Sequence, residues 1–226
     1  MATKSSGTRR LTERVKTARK RKPSSTRWLQ RQLNDPYVHR AKQEGYRSRA
    51  AYKLIELDDR FRLLKPGKCI LDLGAAPGGW TQVAVQRVKS PESEPLVVGV
   101  DILEMPGVPG AIVTKLDFMD EKAPDIIRAL LPKGVDIVLS DMAPNTTGHA
   151  ATDHLRIMML LEAAYLFATE VLKPGGSFIA KVFQGGAEHE LLAQIKKNFT
   201  SVKHAKPKAS RADSSEIYVV ATGFHT

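Results

Sequence analysis

The chain has 226 residues, of which 42% are hydrophobic and 26% charged, and its formal net charge at pH 7 is +11. Its length and composition predict one ordinary globular domain with a sizeable core. No run of 18 apolar residues occurs, which argues against a membrane span, and the single cysteine, Cys69, argues against a disulfide framework. We therefore expect a cytoplasmic protein; the mitochondrial matrix is the alternative, because the first 25 residues are basic and poor in acids.

The positive charge is concentrated at the amino-terminal end. Residues 1–50 contain 15 Lys or Arg and three acids, whereas the other 176 residues contain 20 basic and 21 acidic residues. Such a block beside a near-neutral domain is typical of proteins that bind a polyanion, and a nucleic acid is favoured because no strongly apolar face accompanies the charge. A solvated tail is the alternative. We divide the chain into a basic, disordered arm over 1–24 and a single domain over 25–226.

Hydrophobic periodicity and turn residues predict the elements in chain order. Helices are expected at 24–33, 37–45 and 48–61, a strand from 69, a helix from 80, strands at 97–101 and 111–114, a helix at 125–131, a strand at 135–140, a helix at 154–172, a strand at 177–183, a helix at 191–199, and strands at 201–206 and 216–222. Strand and helix alternate at βαβ spacing, so we predict an α/β fold with a mostly parallel sheet, helices on both faces and an antiparallel pairing of the last two strands.

The segment 69–82 is predicted to form a strand, a tight turn and the start of a helix. Glycines at 74, 78 and 79 remove Cβ atoms where the backbone bends, and they are expected to let a ligand approach the N–H groups of the helix. The Lys-Ser/Thr pair of a triphosphate loop is absent after Gly79, and Ala76 replaces the second glycine of a dinucleotide loop. A turn with no ligand remains the alternative.

Acidic residues around this turn suggest the nature of the ligand. Asp72 lies inside the first strand and Asp101 ends the next one, an arrangement that suits the ribose and sulfonium of S-adenosylmethionine. Because ligands of such sheets bind beyond the carboxyl ends of strands, Gly74, Asp117 and Asp141 should lie in the same pocket.

Four further titratable residues are ambiguous one by one. Lys181 interrupts an apolar strand, which is costly unless the cation is paired or lies at a cleft, although it could also reach solvent from a strand end. Asp141 follows the strand 135–140 and could equally cap a turn. Lys53 and Glu216 alone resemble ordinary surface residues, so only the set of four indicates a functional site.

Several long motifs occur in the order found in one enzyme family. They are Tyr46-Arg-Ser-Arg-Ala-Ala-Tyr-Lys-Leu, Asp72-Leu-Gly-Ala-Ala-Pro-Gly-Gly-Trp, Ser140-Asp-Met-Ala-Pro-Asn, Pro174-Gly-Gly-Ser-Phe and Lys181-Val-Phe-Gln. Over residues 25–224 the chain resembles the FtsJ family of RNA 2′-O-methyltransferases, and most of all its bacterial branch, which acts on a uridine of large-subunit ribosomal RNA. The resemblance implies a Rossmann-like S-adenosylmethionine-dependent methyltransferase fold with one antiparallel terminal strand.

The resemblance also implies roles for individual residues. Lys181 is expected to accept a proton in a catalytic set with Lys53, Asp141 and Glu216. The implied contacts to S-adenosylmethionine are Gly78, Trp80, Asp101, Asp117 and Asp141, to which the position of Asp72 and Gly74 adds those two residues. No metal is expected. We further expect a monomer whose substrate is large-subunit ribosomal RNA within the ribosomal large subunit, and a helical segment over 25–65 that faces the RNA. Residues 90–95 and 185–187 match no motif of the family.

Three other functions are weighed against this one. A methyltransferase acting on base nitrogens should have an aromatic residue after the fourth strand, where this chain has Asp141-Met-Ala-Pro. A nicotinamide dehydrogenase is disfavoured by the spacing of the glycines. A catalytically inactive ribosome-assembly protein is disfavoured by the complete set of four residues, and transfer RNA remains an alternative substrate.

Overall fold

A computed structural model of the chain describes residues 14–15, 17, 23–144, 148–183 and 189–225. In chain order its elements are α1 (Pro23–Leu33), α2 (Pro36–Glu44), α3 (Ala51–Phe61), β1 (Ile70–Leu73), α4 (Gly79–Val88), β2 (Val97–Asp101), β3 (Ala111–Lys115), α5 (Ala123–Leu130), β4 (Val135–Ser140), α6 (Ala150–Val171), β5 (Leu172–Phe183), α7 (His189–Asn198), β6 (Phe199–Ala205) and β7 (Glu216–Phe224). Outside the described ranges lie most of the predicted arm, the motif residues Asn145 and Gln184, and residues 185–187. Within those ranges no helix is long and apolar enough to cross a membrane.

The strands form one sheet in the order β3-β2-β1-β4-β5-β7-β6. Neighbouring strands from β3 to β5 are parallel, whereas β7 runs antiparallel to both β5 and β6. The last strand along the chain therefore lies inside the sheet. The predicted α/β fold with a mostly parallel sheet and one antiparallel terminal strand is confirmed.

Helices cover both faces of the sheet because its central strands are apolar on both sides. On one face, α6 and α7 pack against residues such as Leu71 and Phe178. On the other face, α3 and α4 pack against residues such as Ile70 and Ile179. Successive residues of β1 and β5 thus enter opposite cores, as the alternation of side chains along a strand requires.

Two elements begin four or more residues before the predicted start. Strand β5 begins at Leu172, which pairs with Val135, and an irregularity in the pairing separates this pair from the next, Ser177 with Ile137. Helix α6 begins at Ala150, four residues before the predicted start. Asp153 in its first turn accepts a hydrogen bond from the Gly148 N–H, so a polar contact, rather than apolar periodicity, marks this helix start.

Candidate active site

A cavity of about 460 Å³ lies at the carboxyl ends of β1, β2 and β4. Its lining includes Gly74, Asp101, Asp117 and Asp141, which come from four separate segments. The parallel pairing brings these segments together, because β1 lies between β2 and β4. The structure therefore places four of the predicted cofactor-binding residues around one cavity.

Main-chain hydrogen bonds orient two of the acids in this cavity. The Asp101 carboxylate accepts from Ala76 N at 2.9 Å and from Leu103 N at 2.8 Å. The Asp117 carboxylate accepts from Met119 N at 2.9 Å. Each carboxylate oxygen keeps a further lone pair, so both groups can still accept hydrogen bonds from a ligand.

Beside this cavity, two lysines and two carboxylates form a buried cluster that consists of Lys53, Asp141, Lys181 and Glu216. We call it the catalytic cluster after the role that the family resemblance predicts for these four residues. The Lys181 Nζ lies 2.9 Å from Asp141 Oδ1 and 2.9 Å from the Asp141 main-chain oxygen. The Lys53 Nζ lies 2.8 Å from Glu216 Oε1 and 4.0 Å from Asp141 Oδ1, and Lys181 Nζ lies 3.8 Å from Glu216 Oε2. The ionised cluster is electrically neutral, which offsets the cost of burying its charges.

The cluster determines the ionisation of Asp141. Burial alone would raise the pKa of the Asp141 carboxyl, but the ammonium groups of Lys181 and Lys53 and a hydrogen bond from Tyr218 hold this pKa below its usual value. Asp141 therefore stays negatively charged near neutral pH and can fix the amine of Lys181.

Sequence reasoning missed two residues that contact the cluster. The Tyr218 hydroxyl donates to Asp141 Oδ1 at 2.7 Å, and the Ser210 hydroxyl donates to Glu216 Oε1 at 2.8 Å. Tyr218 could have been found, because it follows Glu216 by two positions in β7 and so lies on the same face of the strand. Ser210 lies in the loop before β7, where no periodicity indicates a partner.

Three predicted cofactor-binding residues lie outside the lining of the cavity. Asp72 is fully buried beneath it and accepts a hydrogen bond from the Thr81 hydroxyl at 2.7 Å. The Trp80 side chain lies in the core, where its Nε1 donates to the Ala50 oxygen and its ring packs against Tyr218. The main chain of Gly78 caps helix α4 in a left-handed conformation, with φ of 106°.

Gly74 and Gly78 adopt the left-handed backbone that the predicted bend requires, with φ of 78° and 106°, and other side chains approach both closely. A Cβ on Gly74 would lie 2.7 Å from Met142 Cγ, and one on Gly78 would lie 2.8 Å from Arg47 Nη1. Side chains of the protein thus lie close to both glycines, and Gly74 also lines the cavity. Arg47, also missed, donates to the main-chain oxygens of Pro77, Pro106 and Gly107 at 3.3, 2.6 and 2.5 Å, and so ties the glycine turn to the loop after β2.

A mostly parallel sheet with helices on both faces and an acidic cavity at its strand ends is the architecture of Rossmann-like proteins, which bind nucleotide-type ligands at that edge. The FtsJ-like methyltransferase family matches residues 46–224. Ribosomal RNA large subunit methyltransferase E of Paramagnetospirillum magneticum is 63% identical over 220 residues, covering 96% of this chain and 90% of that protein. The protein of the same name from Parvibaculum lavamentivorans is 61% identical over 225 residues, covering 96% of this chain and 89% of its own length.

A solved structure agrees with these relatives. The crystal structure of a Plasmodium falciparum protein described as a ribosomal RNA methyltransferase has 33% identity and a TM-score of 0.69, and covers 79% of this chain and 98% of that one. The chain belongs to the FtsJ-like methyltransferase family. This confirms the predicted family, fold and enzyme class, and S-adenosylmethionine as the methyl donor.

The residues of the cavity suit this donor. The carboxylates of Asp101, Asp117 and Asp141 can accept hydrogen bonds from ribose hydroxyls and amino groups and can attract the cationic sulfonium, and the apolar side chains of Leu103 and Met119 offer surface to an adenine ring. Within the described ranges there is no group of three or more His, Cys, Asp or Glu residues that could hold a metal ion.

Proposed function

We propose that the protein methylates the 2′-hydroxyl of a ribose, a uridine by the resemblance of the chain, in large-subunit ribosomal RNA within the large subunit. One observation carries the proposal: the buried catalytic cluster shares Asp141 with the acidic cavity. A methyl donor in the cavity and a hydroxyl beside Lys181 would then be neighbours, which favours an in-line transfer.

S-adenosylmethionine supplies an activated methyl group on its sulfonium. The assigned task of Asp101 and Asp117 is to bind the ribose and adenine of this donor, while Gly78 and Trp80 contribute main-chain groups at the start of α4. Asp72 supports the turn from below, and Gly74 admits Met142 against the turn.

Lys181 is assigned as the group that accepts the proton of the 2′-hydroxyl. A lysine can do so only as a neutral amine, which has two N–H donors and one lone pair. Asp141 Oδ1 and the Asp141 main-chain oxygen each lie 2.9 Å from Lys181 Nζ and are suited to accept these two N–H donors. The lone pair of the amine is then left for the hydroxyl. Lys53, paired with Glu216, is assigned to hold the other side of the cluster and to balance its charge.

Ribosomal RNA as the substrate is supported by the names of the relatives, which this chain matches over most of its length. It is also supported by the basic surplus in residues 1–50 and by the segment 25–65, which brings Lys53 to the cluster. We further propose that the protein is a cytoplasmic monomer whose basic arm binds the RNA.

The test is transfer of a tritium-labelled methyl group to large ribosomal subunits, to naked ribosomal RNA and to transfer RNA. We expect label in large-subunit RNA only, at a position that resists alkaline cleavage because its 2′-oxygen is blocked. Label in transfer RNA would favour the alternative substrate. An unlabelled subunit with intact binding of the protein would favour the inactive assembly protein.

A further inference from the structure

A second cavity, of about 330 Å³, is also lined by residues of the catalytic cluster, but not by the residue that lines the first cavity. Its lining includes Lys53 and Glu216 of the cluster and three arginines, Arg31, Arg49 and Arg211. Among the described residues the two cavities share no lining residue, and the cluster contributes Asp141 to the first cavity and Lys53 and Glu216 to the second. A ligand in the second cavity would therefore contact the reaction centre without occupying the donor site.

The charges around the second cavity leave a positive surplus. While Lys181 is protonated, the two positive and two negative charges of the catalytic cluster balance one another. Apart from the cluster, the charged side chains that line the cavity are the three arginines and Asp213, and Asp35, outside the lining, pairs with Arg49 and Arg211. One positive charge is left over, which matches one singly charged anion.

The arginines differ in how firmly they are held. Arg49 is fixed by Asp35 at 2.9 Å and by the Ala209 oxygen at 2.6 Å. The ion pairs of Arg31 with Asp213, at 3.6 Å, and of Arg211 with Asp35, at 3.9 Å, are longer than hydrogen bonds, so these two guanidinium groups can turn to an anion. One planar guanidinium group can donate two parallel hydrogen bonds to two oxygens of a phosphate. Phosphate is therefore the anion that best matches these arginines.

We propose that the second cavity binds a backbone phosphodiester of the RNA strand, next to the nucleotide whose 2′-hydroxyl is methylated. The proposal rests on the proposed function. In RNA the 2′-hydroxyl and the 3′-phosphate stand on adjacent ribose carbons, so a hydroxyl that reaches Lys181 brings a phosphate with it. A phosphate held by Arg31 and Arg211 would thus fix the ribose against the catalytic cluster, and both arginines are positioning residues.

The test uses the full chain and the variants Arg31→Gln and Arg211→Gln. The matched control is Arg128→Gln, which removes an arginine that pairs with Asp125 and Glu170 on α5 and α6. Affinity for polyuridylate is measured over a range of salt concentrations, and methyl transfer to large subunits is measured at increasing subunit concentration. Each cavity variant should bind polyuridylate about tenfold or more weakly, the loss expected for one charge-assisted contact.

The salt dependence identifies the contact as a phosphate. The slope of log affinity against log salt should fall by about 0.7 for each lost contact to single-stranded RNA. KM for the subunit should rise, while the affinity for S-adenosylmethionine stays unchanged, because the two cavities share no lining residue. Arg211→Lys should keep the slope, because it keeps the charge.

The proposal is overturned if both cavity variants show the slope and KM of Arg128→Gln. It is also overturned if the saturating rate falls while RNA affinity is unchanged, since the arginines would then act on the fold of the cluster. If the slope responds as expected but the unmutated protein does not methylate large-subunit RNA, the phosphate site stands and the proposed function fails.

Discussion

Tyr218 lies directly opposite Lys181 on the paired strands β7 and β5, and its hydroxyl donates to the same Asp141 oxygen that receives the Lys181 ammonium. Burial, together with the charges of Asp141 and Glu216, raises the pKa of the Tyr218 hydroxyl well above its usual value. The hydroxyl therefore remains a donor at every pH at which the enzyme would be assayed. This contact holds Asp141 in the orientation that Lys181 requires.

Removing that hydroxyl should slow the reaction without unfolding the protein. For Tyr218→Phe we expect a single-turnover rate about ten- to a hundredfold lower, the equivalent of one hydrogen bond to a charged group. The control is Tyr165→Phe. It removes a hydroxyl that donates to Asn198 Oδ1 at 3.2 Å and makes no hydrogen bond to a residue of the catalytic cluster. Equal rates for the two variants would mean that Tyr218 only fills space.

Asp101 ends β2 and lines the cavity, and we predict that it binds the donor ribose. Replacing it with alanine should weaken the calorimetric affinity for S-adenosylmethionine by roughly 1 to 3 kcal/mol, because a charge-assisted hydrogen bond is lost. Asp120→Ala is a matched control, since the Asp120 carboxylate also accepts a main-chain hydrogen bond, from Lys122 N, but does not line the cavity. Unchanged binding by Asp101→Ala would place the ribose elsewhere.

Asp72 should make stability depend on pH. Burial raises the pKa of its carboxyl to about 7, an effect that the Thr81 hydrogen bond only partly opposes. The folded protein then keeps a proton that the unfolded chain loses near pH 4, so the free energy of unfolding falls as pH rises from about 4 to about 7. Above that interval the ionised carboxylate costs on the order of 4 kcal/mol.

Asp72→Asn tests this dependence, because it keeps an acceptor for Thr81 but cannot ionise. In urea unfolding the variant should be the more stable protein at about pH 8, and its advantage should shrink towards about pH 5. An advantage that is the same at both pH values would show that Asp72 does not titrate in this range.

The basic arm should affect RNA binding alone. Deleting residues 1–22 should weaken polyuridylate binding and lower its salt slope by about 0.7 for each lost phosphate contact. Affinity for S-adenosylmethionine should not change. A truncated protein with the full salt slope would show that the arm is a solvated tail.

The sequence predicted those features that local patterns encode. Periodicity located β4 to the residue. The acids that end the strands predicted a cavity that they share, because the strand ends of a parallel sheet meet at one edge. Lys53 and Glu216 were ambiguous on their own, since they are 163 positions apart and become partners only through the fold. The family resemblance, and not the physics of either residue, identified that pair.

Contacts across the fold could not be read from the sequence. Nothing in the glycine turn itself indicated that Arg47, 30 positions before Pro77, contacts it. Likewise, Trp80 has an apolar ring and one N–H donor, and nothing in its neighbours along the chain shows that both are used inside the core. Such choices depend on tertiary packing, which overrides local pattern.

The central claim is that Lys181 accepts the proton of the 2′-hydroxyl, and it is tested by single-turnover rates measured against pH for the unmutated protein, Lys181→Arg and Lys181→Ala. An arginine keeps the charge but cannot become a base near neutral pH, so both variants should lose roughly a hundred- to ten-thousandfold in rate. Both should still bind S-adenosylmethionine. The rate of the unmutated enzyme should rise with pH, and the rise should vanish in Lys181→Ala. If Lys181→Arg instead keeps most of the activity, Lys181 is a cationic clamp and the claim is contradicted.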